Sequence, residues 1–516
     1  MSINFIPNDP LAITDLPTRQ VNPRPDRAAT VAGLNFSGPV AALGLYAVDT
    51  PEFLYWQSRE ACLAAIEAWE SFSGSTLKVW QGNRNLLLFH FDAGNDLNAY
   101  YDRKSLSFYH ASQSATTKVY YAGASTDTVA HETGHGILDS FQPDFWNSSL
   151  FEVNSFHEAF GDCVALLTAL NDQATRAKIL ANIASANFVE AISEELCEGV
   201  KQIVGAKHNA AVPRHAKNLH QYVIPSTLPE PFSAQDGPGV LIHEEHSFSR
   251  VFTGCFFDTI LNIFNAPASA KNENALLVAA QTAGKLLYQA ATQAPQKLRF
   301  FREIGRAMVL ADRQVNAGTN ESAIRSAFEG HDIPISLDFA LSPEIALDGK
   351  APALGARASL VASARKDLMG RLGAAPGAKS AFSAIEIGAV RVGQLVHQRA
   401  VELGGVDQRL TGVVAMAAQT VLLGHSGGRA AVLGALPQVD NTDAEVRAYI
   451  GSLVKNGAID FAGVGGAGPR KRGMVALRPS SPRTSITHAI RSIRGQKTLV
   501  RLRFACGCGS LPVKRR

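Results

Sequence analysis

The 516-residue chain has only six cysteines, and they are scattered: Cys62, Cys163, Cys197, Cys255, Cys506 and Cys508. No C-x-x-C pair and no dense cysteine spacing occurs, which excludes a disulfide-stapled scaffold and a cysteine-rich structural zinc module. The expectation is a set of buried thiols in a reducing compartment. The alternative, for Cys506 and Cys508 in "ACGCGS", is a redox or metal-binding pair. No run of 18 uncharged apolar residues exists, so no membrane span is expected. The most apolar candidate, "LTGVVAMAAQTVLLG" at 410–424, is too short to cross and reads as a buried helix. The first residues lack a basic start followed by an apolar core, so they do not read as a Sec signal peptide. That makes a cytoplasmic location the expectation, with export by a non-Sec route as the alternative. The prolines of residues 1–30 suggest an extended leader.

Acidic residues are missing after Asp460, where 13 basic ones occur. Beyond residue 340, 25 Lys and Arg stand against 10 Asp and Glu; the preceding part has 24 against 35. Such a basic end suits nucleic acid, anionic lipid or an acidic partner, or packing on the acidic part of the same chain. No helix-turn-helix, zinc-finger or RNA-binding signature accompanies it.

Periodicity divides the chain further. "EACLAAIEAWESFSG" (60–74) has helical spacing and ends in Gly74. "TLKVW" and "NLLLFHFD" read as strands, and "NAYYDRKSLSFYHA" (98–111) as a hairpin. From about 128 to 335 the pattern is mainly helical. The composition then turns to Ala, Gly, Arg and Ser, with a linker expected at 339–355. Within the last part, "LVASARKDLMGRLG" and "VGQLVHQRAVELGG" read as helices and "RGQKTLVRLRFACGCGS" as a strand.

The chemistry begins at "TVAHETGHGILDS" (128–140). Residues four apart share a helix face, so His131 and His135 can reach one Zn²⁺. Glu132, one step round the helix, can reach a water held by that ion. A catalytic zinc needs a third protein ligand and an open position. "NSFHEAFGDC" (154–163) offers Glu158 on a second helix. Asp162, four residues on, can accept the free ring N–H of a ligating histidine. Asp139 is a weaker candidate for the same supporting role.

With this order and distance the chain resembles the thermolysin-like metallopeptidases of the gluzincin group, in which H-E-x-x-H is followed some twenty residues on by a ligating Glu. The resemblance covers about 40–335. It implies an α+β, two-lobed fold, with a mixed β N-terminal lobe and a helical C-terminal lobe. The expected division is then a leader at 1–30, a lobe carrying the zinc helix at 31–155, a helical lobe at 156–338, the linker, and a small basic domain at 356–516. The resemblance implies one Zn²⁺ and a polypeptide substrate. It also implies substrate contacts from Asn98, the Ala99 backbone and Arg214 in "VPRHAKNL". His246 in "HSFSRVFTGCFFDTI" becomes the second catalytic histidine, with His243 as a rival. Its partner acid is open among Asp236, Glu244 and Glu245. Asp127 matches one Ca²⁺-binding acid of the family, but the near-neutral run after Glu158 argues against a two-calcium site. The family's substrate-side tyrosine has no counterpart, since no tyrosine occurs from 123 to 221. His157 stands where the family has Asn. The expected activity is endopeptidase hydrolysis with Glu132 as general base. The alternative is a catalytically impaired zinc-binding relative serving as a binding or structural module.

Overall fold

A computed structural model describes the chain apart from Met1 and residues 115–116, 186, 231–236, 238, 267–269, 338–340, 356, 388, 463–485 and 507–516. Asp236, Cys508 and eight of the 13 late basic residues therefore lie outside the described residues. The fold mixes helix and strand. Among the described residues, no helix is long and apolar enough to cross a membrane.

The expected extended leader is instead packed structure. β1 (Ile3–Phe5) pairs with β2 (Arg19–Val21), and Ile3, Phe5 and Ile6 are buried. A five-stranded sheet follows. β3 (Gly33–Phe36) lies parallel to β4 (Leu86–His90), β4 parallel to β6 (Ser105–Phe108), and β6 antiparallel to β5 (Ala99–Tyr101). The expected hairpin is β5–β6. The expected strand "TLKVW" contributes only a single bridge, Trp80 to Arg84. Two small antiparallel pairs complete this part: β7 (His110–Ser112) with β8 (Val119–Tyr121), and β9 (Ala191–Ile192) with β10 (Arg214–His215).

The helical body starts with α1 (Pro51–Ser73). Thr50 caps its first turn, and Gly74 ends it in the left-handed conformation that glycine adopts without steric cost. Then come α2 (Thr126–Phe141), α3 (Phe151–Asn171), α4 (Gln173–Ile179), α5 (Glu194–Ile203), α6 (Glu245–Phe264), α7 (Glu273–Gln293), α8 (Phe300–Val315) and α9 (Glu321–Glu329). α2 and α3 pack against α1, α6 and α7 around one large core that includes Trp69, Phe156, Phe160, Phe252 and Phe301.

The region expected as a linker carries β11 (Pro343–Lys350), an edge strand of a second sheet. That sheet has eight strands: β11, β12 (Ser380–Ile387), β13 (Val390–Glu402), β14 (Val413–Ser426), β15 (Arg429–Leu433), β16 (Ile459–Asp460), β17 (His488–Ile493) and β18 (Gln496–Arg501). Two expected helices are strands here. "VGQLVHQRAVELGG" lies on β13 and "LTGVVAMAAQTVLLG" on β14, which pair antiparallel from Gly393↔Leu423 to Glu402↔Val414. Their valines favour a pleated, buried surface, and β14 lies between neighbours on both sides, so its continuous apolar run is a central-strand pattern. α10 (Ala362–Arg371) and α11 (Val439–Lys455) accompany the sheet.

This region is not independent of the rest. The large core cluster runs on into Val401, Tyr449, Ile450 and Leu499. The Ser149 amide donates to Met416 O at 3.0 Å, Arg299 pairs with Glu445, and Lys455 reaches Glu230 at 2.9 Å. Past β18 the chain leaves the eight-stranded sheet. β19 (Phe504–Ala505) pairs antiparallel with β5 and becomes the outer strand of the five-stranded sheet.

Candidate metal centre

Two glycines bring the site helices together. A Cβ on Gly134 of α2 would stand 2.9 Å from the Gly161 Cα of α3, and one on Gly161 would stand 2.7 Å from His131 Nδ1. Only residues without a side chain permit this approach. It sets the i, i+4 histidines of α2 opposite the i, i+4 acids of α3. α2 begins at Ser125, whose hydroxyl accepts the Thr128 amide.

His131 Nε2 lies 3.3 Å and His135 Nε2 3.4 Å from the same oxygen of Glu158, and all three side chains are buried. His246 Nε2 approaches that oxygen at 3.0 Å. None of these Nε2 atoms, nor either Glu158 oxygen, has a hydrogen-bond partner. Leaving that many polar atoms unsatisfied in an interior costs several kcal/mol, of order 1–3 for each group. A cation held by the two imidazoles and the carboxylate removes the deficit, and two nitrogens plus one oxygen suit zinc. The residues present therefore fit a metal ion. Among the described residues, the groupings able to hold one are His131, His135 and Glu158, and His131, Glu132 and Cys506.

The support around the triad is only partly the expected one. Asp162 accepts His131 Nδ1 at 2.8 Å, as a tautomer-fixing carboxylate does. It also receives the Arg214 guanidinium at 2.8 Å and the Thr253 hydroxyl at 3.3 Å. Burial opposes charge on Asp162, but Arg214 and the His131 hydrogen bond hold its carboxyl down at about 2. Asp139 does not back a histidine. It accepts Tyr101 OH at 3.0 Å and both arms of Arg103 at 2.9 and 2.6 Å, so it ties α2 to the β5–β6 turn instead. The residue beside His135 is His157, Nδ1 to Nδ1 at 2.8 Å. One ring must donate and the other accept, and burial keeps His157 well below its ordinary pKa, as a neutral partner requires.

Glu132 is buried, and neither of its carboxylate oxygens has a partner. Burial, joined by the Glu158 charge, pushes its carboxyl up to about 8 despite His131. His246 Nδ1 meets Glu244 Oε1 at 2.7 Å, which selects Glu244 from the two candidate acids among the described residues. Glu245 turns away to Tyr449 and to Arg501, whose Nη2 lies 2.6 Å off. The rival His243 bonds the Ser452 hydroxyl at 2.9 Å and packs on Phe151, outside the site.

Asn98 and Ala99 are buried at the start of β5. Arg214 is buried rather than open, with its Nη atoms 3.7 and 3.8 Å from the Cys506 sulfur. The Cys506 amide donates to Ala99 O at 2.8 Å. Cys506 and Phe504 thus belong to the site, although only the pairing tendency of "RLRFACG" pointed that way. Asp127 belongs to neither metal-holding group. Its neighbours are Asp9 from the leader and Glu194, and burial with the Asp127 charge drives the Asp9 carboxyl well up. Asp9 stands more than a hundred residues before Asp127, which hid that cluster. Compared with models of protein families and with curated proteins, the chain matches neither a family nor an individual protein.

Proposed function

We propose that the chain is a zinc-dependent endopeptidase of the thermolysin-like, two-lobed kind. The observation that carries the reading is the convergence of His131, His135 and Glu158 with a buried, unpartnered Glu132 beside them. Zinc bound there would supply Lewis acidity to a scissile carbonyl and lower the pKa of a water. Glu132 takes the proton of the attacking water and returns it to the departing amine; a carboxyl raised towards neutrality suits both transfers. His246, held by Glu244, donates to the developing oxyanion, a contact worth about 2.7–4 kcal/mol in comparable sites. Arg214, fixed by Asp162, presents guanidinium N–H groups to a substrate carbonyl. The β5 backbone at Ala99 offers its carbonyl to an extended peptide.

Glu132→Gln tests this reading. The variant should hold zinc as the wild type does and lose casein cleavage, measured before and after removal of residues 504–516. A variant turnover equal to a measurable wild-type turnover would refute the assignment of the base.

A further inference from the structure

The β5 edge already has an occupant. Phe504 and Ala505 pair antiparallel with Tyr101 and Tyr100, and the Cys506 amide continues the ladder to Ala99. Phe504 is fully buried. Its ring stacks on His157 at 3.8 Å and 18° and on the metal-site His135 at 4.9 Å and 19°. Trp146 meets it edge-on at 5.4 Å, and the Arg501 guanidinium covers it at 4.0 Å. Cys506 lies beside the metal-ligand triad rather than in it. A sulfur-to-ligand-atom spacing within 4.8 Å joins it to His131 and Glu132, and Arg214 and the Ser193 hydroxyl flank it at 3.7–3.8 Å. The segment therefore fills the space next to the general base and takes the carbonyl that a peptide would use.

The eight-stranded region delivers this segment and holds it. β18 ends at Arg501, two residues before Phe504's neighbour Arg503. The Arg501 guanidinium is buried on Glu245 and Tyr449, and its carbonyl accepts the Trp146 indole N–H at 3.2 Å. Arg503 covers Tyr100 of β5. A tether this short presents the segment at a high effective concentration.

We propose that residues 504–506 are a resident plug of the cleft, bound as a β-strand addition to β5, and that they define the ligand class the cleft accepts. That class is an extended peptide with an aromatic side chain in the His157–His135–Trp146 slot and a small side chain two positions later beside Glu132. Main-chain pairing supplies general affinity and the two inward side chains supply selection. The intact chain is then latent, and the cleft opens when the segment is displaced or cut away. This rests on reading the site as a peptide cleft.

The test uses the full chain, the full-length variant Phe504→Gly and the labelled peptide Arg-Leu-Arg-Phe-Ala-Cys, with fluorescence anisotropy as readout in zinc-loaded and zinc-free protein. Glycine removes the ring that stacks on His157 and His135 and meets Trp146, and it frees the backbone, so the variant's segment should leave the slot. The peptide should bind the variant at least about 100-fold more tightly than the wild type, the ratio expected for a competitor tethered at about millimolar effective concentration. Equal binding to both, or binding to neither, would overturn the plug. Hydrogen exchange on the unaltered wild type gives a second, variant-free reading. The Cys506 amide and the β5 amides should be protected together, and rapid exchange at Cys506 would also overturn the proposal. Zinc content and Glu132→Gln turnover are read separately. A variant that binds the peptide but neither holds zinc nor cleaves casein would leave the plug standing and refute the peptidase.

Discussion

Replacing Asp162 by Asn separates the structural and the chemical roles of the carboxylate between α3 and the metal site. Asp162 is buried and carries four partners at once: His131 Nδ1, two nitrogens of Arg214, and the Thr253 hydroxyl. Asparagine keeps the volume and removes the charge. Arg214, itself buried and with no second carboxylate in its hydrogen bonds, then becomes an uncompensated buried cation. Breaking a buried pair in this way costs about 3–5 kcal/mol. The His131 ring exchanges a charged acceptor for a neutral amide oxygen, which lowers its basicity and should weaken metal affinity about 10–100-fold. Urea unfolding of the zinc-free proteins reads the first effect, and chelator competition reads the second. Adding Arg214→Met to Asp162→Asn should restore more than half of the lost stability, because the stranded charge is gone, but none of the zinc affinity. Unchanged stability in the single variant, or no recovery in the double, would refute the argument that this pair is a coupled buried unit.

Gly161→Ala should abolish zinc binding and cost about 1–3 kcal/mol, since the new methyl meets both His131 Nδ1 and the His131 carbonyl at under 3 Å; wild-type zinc content and midpoint would contradict the close-approach account. Glu152, buried against Tyr222, Arg299 and the Phe301 amide, has its carboxyl pushed up to about 7 by burial. The folded chain therefore keeps a proton that the unfolded chain has lost, so stability should fall as pH rises from about 4.5 to 7 and level off above. Glu152→Gln should flatten that slope, worth on the order of 3 kcal/mol at most; denaturant midpoints at several pH values check it. Asp139→Ala should loosen the β5–β6 turn through Arg103 and Tyr101, while zinc affinity stays within about threefold because no ligating ring rests on it; a tenfold loss would restore Asp139 to the metal site.

The helical part of the site was legible because its signal is local. His131 with His135 and Glu158 with Asp162 each follow from one helical turn, and Gly134 and Gly161 let those turns meet. The supporting partners were less legible. Asp139 and His157 both lie within one helical turn of a ligand, and only packing decides that His157 meets His135 while Asp139 serves Arg103. β13 and β14 misled because an alanine- and valine-rich run fits a buried helix and a central strand alike, and neighbours on both sides, invisible in sequence, settle it. The leader misled in the other direction: its prolines suggested looseness, yet β1 and the buried Asp9 are held by contacts with residues beyond 50, such as the Ile6 amide to Gln57 at 2.8 Å. Phe504 reaches β5 from about 400 residues away, beyond any periodicity.

The most direct measurement is the zinc content of purified protein, by elemental analysis, for the wild type and for the single variants His131→Ala, His135→Ala and Glu158→Ala. The account predicts one equivalent in the wild type and less than about a tenth of that in each variant after dialysis against a mild chelator. A folded wild-type protein that takes up no zinc, or a Glu158→Ala variant that keeps a full equivalent, would contradict it.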